Sequence, residues 1–279
     1  MEAFEAVARA AVAAAGERLR NVWRGSKRVE YKGPVDLVTE TDREIEALIV
    51  ERLRHMFPDH LIVAEEASAG THLQPPPADR YAWYLDPLDG TVNFAHGHPH
   101  FCVSLALARG PELQLGIVHD PVRDETFFAQ RGRGATLNGA PIIVSAAGDL
   151  GEALLATGFP YDRRVRTDFY LRFVADFMQR ACDVRRAGSA ALDLCYVACG
   201  RFDGFWEWRL KPWDTAAASL IVREAGGTVS GFRGDAFELY GEQTLASNRR
   251  LHPAMVAVLE ARLRAAVDDA SPERATTST

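Results

Sequence analysis

The run Trp83-Tyr84-Leu85-Asp86-Pro87-Leu88-Asp89-Gly90-Thr91-Val92-Asn93-Phe94 decides how this chain reads. Tyr81 to Leu85 is a short apolar stretch, read as a buried strand. Proline interrupts a backbone ladder, so the strand is expected to end at Asp86-Pro87. Asp86 and Asp89 then stand close together on a tight turn. Gly90 and Thr91 follow, where a chain can expose backbone N–H groups. Two close carboxylates repel each other unless positive charge lies between them. A hard divalent cation is the natural partner, because Mg²⁺ takes oxygen ligands and keeps positions open for water and phosphate. Taken alone, the same letters also read as ordinary turns, Asp-Gly in a hairpin and Asp-Pro at a loop start.

Working outward, three more acidic stretches flank this one. Asp36-Leu37-Val38-Thr39-Glu40-Thr41-Asp42 and Ala64-Glu65-Glu66 lie upstream; Trp213-Asp214-Thr215-Ala216-Ala217-Ala218 lies downstream and runs on to Glu224-Ala225-Gly226-Gly227. Asp42 reads as the N-cap of a helix with an apolar face of Ile45, Leu48, Ile49, Leu53 and Met56. Leu61 to Ala64 reads as a strand with Glu65-Glu66 at its end. Asp214 begins an alanine-rich helix, Thr215 to Glu224, so capping competes there with metal ligation. Glu2 to Trp23 has helical spacing; Arg24 to Val35 reads as a loop and a candidate lid carrying Lys32.

Further strands are expected at Phe101 to Ala108, Gly116 to His119 and Thr126 to Gln130, with a turn at Leu137-Asn138-Gly139. The first half, 1–146, therefore reads as α+β with antiparallel strands. From about Val144 the pattern alternates: strand Ala153 to Thr157, helix Arg166 to Gln179, strand Cys182 to Arg186, helix Ser189 to Cys199, strand Gly204 to Trp208. That is α/β order, so 147–269 is expected to form a second domain, closed by strands at Thr228 to Ser230 and Thr244 to Ser247 and a helix from His252 to Val267. A disordered tail is expected over 270–279. Gly188-Ser189-Ala190 opens a helix, where Ser189 reads equally as a plain N-cap and as a ligand-facing hydroxyl.

Composition narrows the class. At 279 residues, 47% apolar and 25% charged, the chain is an ordinary globular protein. A formal charge of −6 argues against a general nucleic-acid binder. No apolar run is long enough to span a bilayer, and the acidic start Met1-Glu2-Ala3-Phe4-Glu5 is unlike a signal peptide, so a cytoplasmic protein is expected. Cys102, Cys182, Cys195 and Cys199 lack zinc-like spacing and read as reduced, buried packing residues. His96, His98 and His100 alternate as zinc ligands on an extended chain would, but no fourth ligand is visible.

The ordered set Asp36–Asp42, Ala64-Glu65-Glu66, Trp83–Phe94 and Trp213–Ala218 resembles the inositol monophosphatase family, Mg²⁺-dependent and lithium-sensitive. The resemblance runs from the first helix to about Asn248, and Ala64 departs from the glycine usual before the glutamate pair. It implies a layered α/β/α/β/α sandwich and hydrolysis of a small phosphorylated polyol, with two or three Mg²⁺ ions clamping the attacking and leaving oxygens. Glu65, Asp86 and the Leu88 carbonyl would hold one ion; Asp86, Asp89 and Asp214 would hold the second. Glu65 and Thr91 would activate water, with Asp42 hydrogen-bonded to Thr91. Gly90 and Thr91 would bind phosphate, while Gly188, Ser189, Ala190 and Glu207, with Asp214, would meet the alcohol. The resemblance also implies a homodimer. Relatives sharing this metal site act on fructose bisphosphate, histidinol phosphate or adenosine bisphosphate, and some bacterial ones bind the transcription machinery.

Overall fold

A computed structural model describes residues 1–25, 29–31, 37–68, 71 and 73–270. Glu2–Val22 forms helix α1, which buries Ala8, Ala11, Val12, Ala15 and Leu19 on one face. Within the expected loop, Val29–Tyr31 (β1) pairs antiparallel with Leu37–Thr39 (β2), so that stretch is part hairpin. Lys32 lies outside the described residues. Helix α2 (Glu40–Met56) starts one turn earlier than Asp42. Thr39 is the N-cap and Asp42 the third residue inside, the far half of a capping box. Of the expected apolar face, Ile45, Ile49 and Leu53 are buried, whereas Leu48 and Met56 are exposed.

Leu61–Ala64 (β3) runs parallel to β4, Tyr81–Asp89. β4 does not stop at Pro87. Its pairing with β5 (Cys102–Arg109) continues past it, Asp86 opposite Ser104 and Asp89 opposite Cys102, with one extra residue bulged between. A bulge is where proline's missing N–H does no harm to a ladder. It also changes the side-chain alternation: residues three apart on a regular strand face opposite sides, and one extra residue restores them to the same side. After α3 (Thr91–Ala95) and β5 come β6 (Glu112–Asp120), β7 (Glu125–Gln130), β8 (Ala135–Leu137) and β9 (Ala140–Ile142). The seven-stranded sheet has the order β3-β4-β5-β6-β7-β8-β9, antiparallel except at β3–β4. Asn138 and Gly139 close its last hairpin with positive φ values of 49° and 83°.

The second half contributes β10 (Leu154–Thr157), α4 (Thr167–Met178), β11 (Asp183–Arg185), α5 (Ala190–Ala198), β12 (Gly204–Trp208), α6 (Pro212–Glu224), β13 (Thr228–Ser230), β14 (Gln243–Ser247) and α7 (His252–Ala270). Its five-stranded sheet, β11-β10-β12-β14-β13, is parallel across β11, β10 and β12 and antiparallel beyond. The expected tail, apart from Ala270 at the end of α7, lies outside the described residues.

Five layers result. One core joins α1 and α2 to the outer face of the seven-stranded sheet. A second joins both sheets through α5 and α6. A third lies between the five-stranded sheet and α4 and α7. Every residue of α5 is buried, as are Trp213 and Thr215 to Val222 of α6, because these helices have sheet on both sides. Ala216, Ala217 and Ala218 let α6 approach closely: a Cβ on Gly116 of β6 would stand 2.6 Å from the Ala217 carbonyl oxygen. The four cysteines are unbridged; Cys102 and Cys195 are buried, Cys199 is half-buried, and Cys182 is exposed rather than packed inside. Among the described residues no helix is long and apolar enough to cross a membrane.

Candidate active site

One cleft, enclosing about 910 Å³ with its solvent mouth, collects side chains from both halves of the chain. Glu65, Asp86, Leu88, Asp89, Gly90, Thr91, Gly188, Ser189, Ala190, Glu207 and Asp214 all line it. Asp42 stands behind Thr91, which donates a 3.0 Å hydrogen bond to Asp42 Oδ1 and lies 3.0 Å from the Leu88 carbonyl oxygen. The N-termini of α2, α3, α5 and α6 meet here, each delivering a named residue: Asp42, Thr91, Ser189 and Asp214. Helix N-termini carry partial positive charge and unpaired N–H groups, which suits acids and anions.

The acids are held individually. The Leu88 amide donates to Asp86 Oδ1 at 2.9 Å. Asp89 Oδ2 accepts from the Ser189 hydroxyl at 2.6 Å and from the Ala191 amide at 2.7 Å. The Lys211 amide donates to Asp214 Oδ2 at 2.7 Å, so Asp214, like Asp42, sits at the third helical position and bonds back to the cap rather than being the cap. The turn carrying Glu65 is clamped by Glu46 of α2, which accepts from the amides of Glu66 and Ala67 at 2.7 and 2.9 Å. Gly90 adopts φ +94°, and a Cβ there would stand 2.9 Å from the His100 carbonyl oxygen, so glycine is required at this turn.

Electrostatically the acids form a single group. Burial raises Asp86 well above the ordinary carboxylate range, and the charges of Glu65, Asp89 and Asp214 add to the rise. Burial also raises Asp89, against the hydrogen bonds from Ser189 and Ala191. Asp214 is pushed up to about 7 by burial and then by Asp89. Asp42 rises to about 6, mainly through burial, with the Thr39 hydrogen bonds opposing. Such a set of mutually repelling, buried oxygen donors fits a hard divalent cation in its chemistry. Its geometry is not yet that of a chelate. Among the described residues no three acidic, histidine or cysteine side chains stand as a ready metal-holding group. Asp89 and Asp214 each bond to a helix N-terminus instead.

The histidine trio does not share a face. The segment is the end of α3 and a turn rather than an extended strand, so His96 and His98 are exposed. His100 points inward, its Nε2 3.2 Å from Asp193 Oδ1. Ser189 serves both as N-cap of α5 and as donor to Asp89. Glu207 is buried beside Gly158, where an added Cβ would fall 2.1 Å from Glu207 Oε2. Gly158, Glu46, Arg163 and Arg186 have no local signal in the sequence; only an expectation that a helix or strand end would need a partner could have pointed to Glu46.

Comparison with known proteins agrees with this architecture. The family model for the inositol monophosphatase family matches residues 1–264. The chain is 43% identical over 256 residues to an inositol-1-monophosphatase of Synechocystis, covering 91% of this chain and 88% of that one. It is 44% identical over 226 residues to the Nus factor SuhB of Escherichia coli, covering 81% and 83%. The structure of an inositol monophosphatase from Anabaena superposes with a TM-score of 0.82 at 39% identity, covering 93% of this chain and 96% of that one.

Proposed function

Because the chain belongs to the inositol monophosphatase family, we propose that it is a Mg²⁺-dependent phosphomonoesterase that releases inositol and phosphate from myo-inositol monophosphate. The observation that carries this reading is the meeting of Glu65, Asp86, Asp89 and Asp214 with the Thr91–Asp42 pair in one cleft. Glu65, Asp86, Asp89, Asp214 and the Leu88 carbonyl are the groups to hold two or three ions. Bound Mg²⁺ would supply charge neutralisation and Lewis acidity for attack on the phosphorus and departure of the alcohol.

The protein's own groups do the rest. Thr91, oriented by Asp42, and Glu65 position the attacking water and accept its proton. The amides of Gly90 and Thr91 hold phosphate oxygens at a helix N-terminus. Glu207 and the Gly188-Ser189-Ala190 turn select the alcohol, Glu207 through its hydroxyls. No side chain needs to be phosphorylated. Histidinol phosphate, fructose bisphosphate and adenosine bisphosphate are the competing substrates on the same site. Rates on these and on inositol monophosphate, measured side by side with Mg²⁺, decide among them; absence of hydrolysis of all four overturns the phosphatase reading.

A second reading has the SuhB relative behind it: a partner in the transcription machinery. Retention of polymerase by an Asp89→Asn variant in a pull-down would favour it. The net charge of −6 weighs against direct binding of nucleic acid. A cytoplasmic homodimer, inhibited by lithium, completes the proposal.

A further inference from the structure

We propose that Glu46 is a positioning residue for the reaction: it holds Glu65 at a fixed distance from Thr91, so that one face of α2 locates both groups that activate the attacking water. This rests on the phosphomonoesterase reading above and adds to it a residue of α2.

Glu46 follows Asp42 by four residues, so the two acids share a face of α2 one turn, about 6 Å, apart. Beside them Ile45, Ile49 and Leu53 anchor the helix in the core it shares with α1 and the seven-stranded sheet. Both acids are buried, at 1% and 8% exposure. A buried carboxylate is costly unless its oxygens are bonded, and an apolar side chain would fill the same space at less cost. Each acid is bonded, and to a different part of the site. Asp42 Oδ1 accepts from the Thr91 hydroxyl at 3.0 Å. Glu46 divides its oxygens between two consecutive amides, Oε2 taking Glu66 at 2.7 Å and Oε1 taking Ala67 at 2.9 Å.

Glu65 sits at the joint. Its own amide donates to the Leu85 carbonyl oxygen at 3.1 Å, next to Asp86 on β4, and its carbonyl oxygen accepts from the Ser68 amide at 3.2 Å. The backbone of the turn is therefore tied to β4 on one side and to α2 on the other, and the Glu65 side chain is left to face the cleft. Packing does not make the tie to α2 redundant. A groove of about 770 Å³, counted with its solvent mouth, runs between α2 and the end of β3, lined by Arg43, Ala47, Val50 and Ile62 as well as Glu46 and Glu66. Without Glu46 the turn keeps its bond to β4 but is free to swing about it, which moves Glu65 relative to Thr91 and Asp86. A displacement of about 1 Å in a catalytic group costs on the order of 100-fold in rate.

The test is a double-mutant cycle on Glu46 and Glu65, with inositol monophosphate as substrate. Glu46→Gln keeps one oxygen for one amide and turns an NH2 group toward the other. It should lower kcat by about tenfold or more with KM held within about twofold, and raise the Mg²⁺ concentration for half-maximal activity. Glu46→Ala, which bonds neither amide, should lose more. In a Glu65→Gln background, Glu46→Gln should cost nothing further, because the group it positions is already gone. Thermal melts over a Mg²⁺ titration read the same geometry without turnover: the concentration giving half of the stabilisation should rise about tenfold in Glu46→Gln. Full activity in Glu46→Gln overturns the proposal. So does a loss that multiplies undiminished onto Glu65→Gln, or a lower melting temperature with the Mg²⁺ midpoint unchanged, either of which assigns Glu46 to the fold alone. If the wild type hydrolyses no phosphomonoester, the phosphomonoesterase reading fails by itself, and the Mg²⁺ midpoint in the melts still decides whether Glu46 orients Glu65.

Discussion

Two strong hydrogen bonds converge on one oxygen of Asp89, from Ser189 and the Ala191 amide. Those donors aim the carboxylate, so removing one and removing the acid should have different signatures. Asp89→Asn should keep the fold and lose at least about 100-fold in kcat, roughly 2.7 kcal/mol of barrier. Ser189→Ala should instead raise the Mg²⁺ concentration for half-maximal activity, since a hydrogen bond to a charged group contributes about 1.5–3 kcal/mol. Steady-state kinetics over a Mg²⁺ titration separates the two. The cluster's mutual repulsion also predicts a thermal effect. Mg²⁺ at about 100 times its dissociation constant should stabilise the protein by about 2.7 kcal/mol, and Asp86→Asn should abolish that gain, measured by scanning calorimetry. Of the acids at this cleft, Asp86 and Asp89 stand out by residue type and spacing, whereas Asp42, Glu65 and Asp214 are singled out by the family resemblance. Glu46 and Gly158 do not stand out, because what each does depends on a neighbour 20 or more residues away.

Helices and strands tell a similar story. Apolar periodicity located most strands of both sheets and the six longer helices to within a few residues, since burial on one face leaves its period in the letters; the five-residue α3 is too short to leave one. It misjudged β4 because Pro87 was read as a terminator, when a bulge accommodates it. It misjudged Asp42 and Asp214 as caps because the reciprocal partner of an N3 acid is a backbone amide, which has no letter. The start of α7 offers a test at this level. His252 is buried, with Nε2 2.8 Å from the Ser230 hydroxyl and Nδ1 2.8 Å from that of Ser247, which ties α7 to β13 and β14. Burial lowers its proton affinity from the ordinary value of 6.5. The unfolded chain therefore takes up a proton near pH 6.5 that the folded chain does not. This contribution to stability is complete above that pH and lost as pH falls. His252→Gln should flatten the fall in melting temperature between about pH 7.5 and 5.5 relative to wild type.

Across the whole molecule, α5 and α6 give the two sheets a common core. The two halves are topologically distinct, yet neither can expose its inner sheet face without stripping these helices. A single cooperative thermal transition is expected, and two resolved calorimetric peaks would contradict it. Ala217→Leu would force a larger side chain into the space where α6 touches β6 and should cost about 1–3 kcal/mol, read as a shift in denaturation midpoint. The strand patterns suggest an antiparallel half and an alternating half; the layer order is what the family resemblance implies. The shared helical layer was hinted at only by the run of alanines in α6, which allows a close approach without naming the surface approached.

The bond between Asp89 and the start of α5 carries a consequence for anyone shuffling genes in this family. Asp89 belongs to the first sheet; Ser189 and Ala191 belong to the second half, and Asn93 adds a parallel tie by donating to the Ala187 carbonyl oxygen at 2.9 Å. A crossover placed between the halves would draw the acid from one parent and its donors from another. Hybrids whose parents differ at either end of this seam should assemble yet turn over slowly, and repairing the seam alone should restore them.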